Sequence, residues 1–477
     1  MSRLVVAVAL ALASLLLVDP APSYDPWAWL LWGREIAGGE LSTVDGPAFK
    51  PLPVAACALL APFGSAAPWL WVLLVRVAAV LAAALAYDVG LRLAGGSRAA
   101  GALAAAGVLL CGGLLQFSAA GAEPALVVAL ALGGAVAWRE RRYRIALACG
   151  VACALLRVEA WPFLLAAGVV LWVRRPQDRP VLAALALFIP AAWLVPELIG
   201  SGDLLRSGAR ARLPNPGQPA LTDAPAAAAL EAAVRLPLWP LWGGVIALAA
   251  LSARGTGAAS SRVGDGTAQR PPSRGLRAAL VPAAAGAAWI AIVALMAEAG
   301  FSGEPRYALP GAALITISGA VGLMLGANAL AARSARPYAI AAAAAIVAAA
   351  AAPRTADLPA LREEQAYQWR LAGDLADAVR AAGGREAVLA CGRPYAGPLR
   401  GPLMAYRLGV AKHVVEPDAP PRAPGVVFRS ALSASSPPAP VAPPRFAETA
   451  RAGAWQVLAA CGAARVALAP TGVNGRR

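Results

Sequence analysis

Apolar runs long enough to cross a bilayer recur along the first three quarters of the chain, and no other feature restricts its fold so strongly. They fall at 3–19, 67–91, 99–121, 124–138, 143–157, 159–173, 180–200, 236–252, 277–299, 307–331 and 337–352, with a shorter piece at 52–63. A hydrocarbon layer about 30 Å thick takes roughly 17–25 residues of helix. The pattern therefore predicts an all-α polytopic membrane protein of about eleven transmembrane helices. Composition agrees, with 59% apolar and 14% charged residues, against about 45–50% and about 25% in soluble domains. The formal charge of +16 does not point to nucleic acid, because the arginines are scattered between apolar runs rather than gathered on one stripe. The first run reads either as a signal peptide, with Met1-Ser2-Arg3 ahead of Leu4–Val18, or as a retained anchor. No convincing small-x-small cleavage site precedes Tyr24, which favours the anchor.

Orientation follows from the arginines, which short cytoplasmic loops retain. Arg92 and Arg98, then Arg139, Arg141, Arg142 and Arg144, then Arg174, Arg175 and Arg179 occupy alternate loops. The Gly/Ser-rich 254–276 linker and Arg333 with Arg336 continue the series. These loops and the N-terminus are expected in the cytoplasm. Residues 20–51, 121–123, 157–159, 201–234, 300–306 and everything from 353 onward then lie outside. The chain divides accordingly into a transmembrane catalytic domain, 1–352, and a small extracytoplasmic α/β or irregular C-terminal domain, 353–477. Within the latter, 361–381 reads as an amphipathic helix, 385–390 as a short strand, and 414–445 as Pro-rich chain of little periodicity. Cys57, Cys111, Cys149 and Cys153 sit in apolar runs, whereas an oxidising exterior permits a disulfide between Cys391 and Cys461. The sequence has no CxxC or HExxH pattern, and His413 is its only histidine.

The most informative stretch follows the first span: Tyr24-Asp25-Pro26-Trp27-Ala28-Trp29-Leu30-Leu31-Trp32-Gly33-Arg34-Glu35-Ile36, then Gly38-Gly39, Asp45-Gly46-Pro47 and Phe49-Lys50-Pro51-Leu52-Pro53. Tryptophans at 27, 29 and 32 suit a helix lying in the membrane interface, with the indole N–H groups kept wet. Asp25 then stands at the mouth of the bilayer. It either caps that helix, with Pro26 in the first turn, or does chemistry. Arg76 and Asp88 lie in or near the end of the second span, too far apart along one helix to pair.

This arrangement resembles the first exterior loop of GT-C-type, polyprenyl-phosphate-dependent glycosyltransferases, such as the lipid A aminoarabinose transferases and protein O-mannosyltransferases. The residues that carry the resemblance are Asp25, Arg34-Glu35-Ile36, Gly38-Gly39 and Phe49-Lys50-Pro51-Leu52. They cover about 30 residues, while the topology match covers most of 1–352. The family's usual pair of adjacent acids is here Asp25-Pro26, which departs from any two-carboxylate version of the site. The need for a divalent metal stays open.

The resemblance implies transfer of a sugar from a polyprenyl-phosphate donor to a hydroxyl of an envelope glycan, lipid or protein at the outer face of a bacterial cytoplasmic membrane. Such a transfer needs a carboxylate near the acceptor proton, with Asp25 the first candidate and Asp45 and Glu123 next. It also needs cations at the departing phosphate, for which Lys50, Arg306 and Arg34 are the candidates. Glu304 and Tyr307 flank Arg306 in the compact 302–307 turn. Arg157 and Glu159 are ionisable at a membrane boundary, and Arg206 belongs to the 203–223 loop. Two other readings stand beside it, a transporter or flippase of lipid-linked sugars and an inactive membrane scaffold. A transporter is expected to show internal repeats and broken mid-span helices; the sequence shows no internal repeat, and its charges cluster in exterior turns rather than mid-span, which favours an interfacial enzyme.

Overall fold

A computed structural model describes residues 3–257, 272–332, 334–416 and 419–462. Most of the 254–276 linker, Arg333 and the segment after 462 lie outside them. The chain opens with α1 (Arg3–Leu17), α2 (Tyr24–Ala37), α3 (Pro51–Leu60), α4 (Ala67–Leu93), α5 (Arg98–Leu109), α6 (Leu114–Ala119), α7 (Pro124–Arg139) and α8 (Tyr143–Leu156). It continues through α9 (Trp161–Arg174), α10 (Arg179–Ser201), α11 (Arg206–Ala211), α12 (Pro225–Val234), α13 (Trp239–Gly257), α14 (Pro272–Glu298), α15 (Pro305–Leu330) and α16 (Arg336–Ala356). Proline in the first turn starts many of these helices, where its missing N–H leaves no bond unmade.

Every apolar run of the sequence is helical, at least in part. Five helical stretches, 51–93, 176–201, 275–298, 305–330 and 336–381, are long and apolar enough to cross a membrane. A sixth is made if α12 and α13, bent by 92° at their junction, count as one span. The expectation of about eleven spans thus rests on adding shorter helices such as α1, α5, α7 and α8. Fourteen residues, the length of α8, rise only about 21 Å. The expected 99–121 span is broken between α5 and α6 at Gly113, whose φ of 82° is left-handed.

Helix α15 is the hub, buried along most of its length between α13, α14 and α5. Its glycines set the approach distance. A Cβ added at Gly322 stands 1.9 Å from the Gly244 carbonyl oxygen, and one at Gly244 stands 1.9 Å from that of Gly319. Backbones that close need residues without side chains, as in tightly packed membrane helices generally. Arg76 and Asp88, about 18 Å apart on α4, each hold α1. The Arg76 guanidinium donates to the carbonyls of Val18 at 2.8 Å and Asp19 at 3.1 Å, and Asp88 pairs with Arg3.

Beyond α16 the chain forms α17 (Leu358–Ala381), α18 (Gly384–Cys391), β1 (Arg393–Tyr395), α19 (Gly401–Leu408), β2 (Gly425–Ala431), β3 (Pro438–Ala439), β4 (Ala447–Ala452) and β5 (Trp455–Ala460). The strand order is β1-β2-β5-β4, with β1 parallel to β2, the other pairs antiparallel, and β3 against the end of β2. The strand expected at 385–390 is instead the helix α18. Val388 and Cys391 are buried three residues apart, a helical spacing, and Glu386 suits the helix's first turn. The Pro-rich 414–445 segment, expected to be irregular, contributes β2 and β3. A disulfide joins Cys391 at the end of α18 to Cys461 beyond β5.

The tryptophans of α2 face protein rather than the membrane interface, which corrects the sequence reading. Trp27, Trp29 and Trp32 are all buried. Trp27 meets Tyr406 of α19 with ring centroids 5.3 Å apart, Trp29 meets Trp71 edge-on at 5.5 Å, and Trp32 meets Phe49 at 5.6 Å. The causes are α19, which packs onto α2 at Trp27, α4 at Trp29 and the 42–49 loop at Trp32, joined in one apolar core. Amphipathic aromatics suit a wet interface and a protein interface equally, so their spacing cannot tell the two apart.

Candidate active site

Ionisable side chains that the sequence leaves at the ends of separate apolar runs converge at one rim of the helical bundle. Asp25 lies in the first turn of α2, Lys50 just before α3, and Glu123 just before α7. Arg157 ends α8, Glu159 follows in a single turn, Glu304 precedes α15 and Arg306 lies in its first turn. Helix ends are where a buried chain still has unpaired backbone and turns available. Asp25 is not the cap of α2, since Ser23 holds that position. It sits in the first turn, where the helix dipole favours its charge.

These groups line or border a cavity of about 580 Å³, whose walls include Asp25, Lys50, Arg157, Glu159, Arg306 and Tyr307. The Lys50 ammonium donates to Glu123 Oε1 at 2.5 Å and stands 4.0 Å from Asp25 Oδ2. It also lies 5.1 Å from the ring centroid of Trp29. From the opposite wall the Arg306 guanidinium reaches Asp25 Oδ2 at 3.2 Å and pairs with Glu304. Arg157 pairs with Glu159, donates to Glu123 Oε1 at 3.1 Å and lies 3.7 Å from the Tyr307 ring centroid. Two cations thus meet on Asp25 and two on Glu123.

Glu123 is 1% exposed. Burial alone raises such a carboxyl, but Lys50, Arg157 and Arg306 together outweigh it and hold Glu123 well below the usual carboxylate range. Its ionised form anchors Lys50 and Arg157. Asp25 instead has its cations on the cavity wall, within reach of anything that enters. With Arg210 on the same wall, the basic groups Lys50, Arg157, Arg210 and Arg306 balance Asp25, Glu123, Glu159 and Glu304. An entering anion therefore competes with carboxylates for cations already in place.

Three expected contributors lie elsewhere. Asp45 pairs with Lys412 at 2.5 Å, and Arg34 donates to the Tyr406 carbonyl at 2.7 Å, so both tie the first loop to the C-terminal region. Arg206 donates to the carbonyls of Pro47 at 2.7 Å and Gly46 at 2.8 Å, clasping the 203–213 segment to that loop. None of the three lines the cavity. These partners lie 159 or more residues away, which sequence spacing does not encode.

Other residues take part without having been singled out. Gln218 donates to Glu304. The Ser207 hydroxyl donates to the fully buried Glu197 and accepts the Phe49 amide at 2.6 Å, setting the backbone next to Lys50. Glu197 had a signal, being the only acid in the 180–200 run; Gln218 had none. Pro398 and Leu399, from the loop before α19, complete the cavity wall. Among the described residues no group of three or more His, Cys, Asp or Glu side chains is arranged to hold a metal ion.

No protein-family model matches the chain, and no curated protein matches it. The fold is similar to two solved structures of ArnT from Cupriavidus metallidurans. The one bound to undecaprenyl phosphate has 13% identity and a TM-score of 0.49 over 95% of this chain and 97% of that one. The apo structure has 15% identity and a TM-score of 0.48 over 95% and 97%.

Proposed function

We propose that the chain is a GT-C-type integral membrane glycosyltransferase that moves a sugar from a polyprenyl-phosphate donor to an acceptor hydroxyl, with Asp25 as general base. The observation that carries the reading is the meeting of Asp25, Lys50 and Arg306 on one cavity at the rim of an apolar bundle. Lipid tails have a place along the bundle and a phosphate has cations at its edge. The ArnT structure bound to undecaprenyl phosphate is a precedent for the ligand class.

In this reading the donor phosphate takes up Lys50 and Arg306, which loosens both from Asp25. The freed carboxylate accepts the proton of the acceptor hydroxyl as its oxygen bonds to the anomeric carbon. The bond from that carbon to the phosphate oxygen breaks, and its electron pair leaves with the phosphate. The second negative charge so formed is met by cations already fixed in place by Glu123 and Glu304. In this reading the arginine-rich end faces the cytoplasm, and the cavity end and the C-terminal region face the outer side.

The test is transfer from a radiolabelled polyprenyl-phosphate sugar by protein purified with native lipids, wild type against Asp25→Asn. We expect the variant to lose transfer by about 10²–10⁴-fold while still binding the donor. Equal transfer by both removes Asp25 from the chemistry. Donor binding without transfer by either protein favours a transporter of lipid-linked sugars.

A further inference from the structure

Another cavity lies at the opposite end of the bundle from the active-site candidate. Helix α7 leaves the carboxylate cluster at Glu123 and ends at Arg139. Helix α8 returns from Tyr143 to Leu156, next to Arg157. The turn between them therefore lies about 24 Å from Glu123, the rise of a helix as long as α7. A pocket of about 290 Å³ opens there, lined by Arg141, Arg142, Tyr143, Arg144, Ile145 and Arg175.

Charge in this pocket is unbalanced, unlike that of the active-site cavity. Arg175 pairs with Asp178 at 2.6 Å and lies 5.3 Å from the Tyr143 ring centroid, and Arg142 stands 3.8 Å from Glu140. Among the described residues neither Arg141 nor Arg144 has an ion-pair partner. Arg141 is also one of only two described non-glycine residues with positive φ, at 60°. It closes α7 in a turn where its amide donates to Trp138 O at 3.1 Å and the next amide to Ala137 O at 2.8 Å. That position ordinarily takes glycine. An arginine there keeps a guanidinium at the pocket despite an unfavourable backbone.

Apolar surface surrounds the pocket. Ile145 in its wall is exposed, and so are Val169, Trp172 and Val173 toward the end of α9 and Val181 at the start of α10. Trp138 packs edge-on against Tyr143 with centroids 5.2 Å apart, and Arg179 lies 5.6 Å from the Trp172 ring centroid. Aromatic rings with guanidinium groups beside an exposed apolar helix face mark the depth of a lipid headgroup layer. Guanidinium forks suit phosphate oxygens.

From these observations we propose that the α7–α8 turn with Arg175 forms a binding site for the phosphate of an anionic phospholipid, whose acyl chains lie along α9 and α10. The exposed apolar surface beside the arginines favours a lipid over free phosphate, which makes no use of it. The site needs no part of the catalytic cavity, so its failure or success is separate from the transferase reading.

The experiment is native mass spectrometry of the full chain in detergent, titrated with phosphatidylglycerol or phosphatidylcholine. Wild type is compared with Arg141→Gln/Arg144→Gln and with Arg98→Gln/Arg336→Gln, which removes equal charge away from the pocket. We expect wild type to retain phosphatidylglycerol at least fivefold better than phosphatidylcholine. The pocket variant is expected to lose that preference and the control variant to keep it. Equal loss in both variants, or no loss in either, overturns the site. Displacement of the lipid by millimolar inorganic phosphate overturns the lipid as occupant. Should the double variant not fold, Arg141→Gln and Arg144→Gln singly carry the same comparison.

Discussion

The two ends of the α7–α8 pair hold charge in opposite ways. At one end Glu123 and Arg157 are 1% and 8% exposed and pair with each other, Glu123 also with Lys50 and Arg157 also with Glu159. At the other, Arg139, Arg141, Arg142 and Arg144 are exposed around a single acid, Glu140. Buried ions are several kcal/mol costly each and persist only when paired, so the first end is a fixed electrostatic frame. Exposed arginines need no partner and are free to orient the chain or meet an external anion. The same residue type is structural at one end of a helix pair and available at the other, and burial alone makes the difference.

The largest effect that tests this contrast is expected from Glu123→Gln. Removing the carboxylate they share leaves Lys50 with Asp25 at 4.0 Å and Arg157 with Glu159 alone, a loss of about 3–5 kcal/mol of stability. Denaturant titration of the purified protein followed by tryptophan fluorescence measures it. A loss below about 1 kcal/mol, the range of an exposed pair, would mean that water reaches the cluster and that its two ends do not differ as argued.

A smaller effect is expected where α2 meets the C-terminal region. Burial pushes the Glu35 carboxyl up to about 7, against the Ser42 amide that donates to it at 3.0 Å and the neighbouring Arg34. Glu40 adds to the rise, and His413 faces the same turn through the Ser42 hydroxyl at 3.1 Å. An acid whose folded pKa exceeds its unfolded value of 4.5 holds its proton more tightly when folded. Stability therefore falls as pH rises from 4.5 to about 7. Screening at this partly exposed site reduces the change to about 1 kcal/mol. Unfolding midpoints at pH 5 and pH 8 are expected to differ in that direction for wild type and to converge in Glu35→Gln. A slope that survives the substitution assigns it to another group.

What the sequence disclosed follows the same division. Asp25, Lys50, Glu123, Arg157, Glu159, Glu304, Arg306 and Tyr307 were readable because an ionisable or aromatic group at the end of an apolar run is conspicuous, and the bundle brings those ends to one rim. Asp45, Arg34 and Arg206 looked equally conspicuous. Their contacts are set by α19, by Lys412 and by the 46–47 backbone, which no local pattern foretells. The helices were readable from hydrophobic length, whereas the number of true spans was not, since Ala-rich runs such as α8 are helical yet short. The helix α18 was read as a strand because its short apolar run satisfies either period.

The smallest effect is expected from Arg144→Gln, in the exposed first turn of α8, the helix whose far end leads into Arg157. It has no ion-pair partner among the described residues to lose, so its stability in lipid-free detergent should stay within about 0.5 kcal/mol of wild type. Arg157→Gln, thirteen residues further along the same chain segment, removes the cation paired with Glu159 and one of the two on Glu123, and should fall with Glu123→Gln instead. The two variants delete the same kind of side chain, so the change in net charge cancels between them. A comparable loss from both would show that the α7–α8 turn is a packed structural element and that its arginines are not free for an external anion.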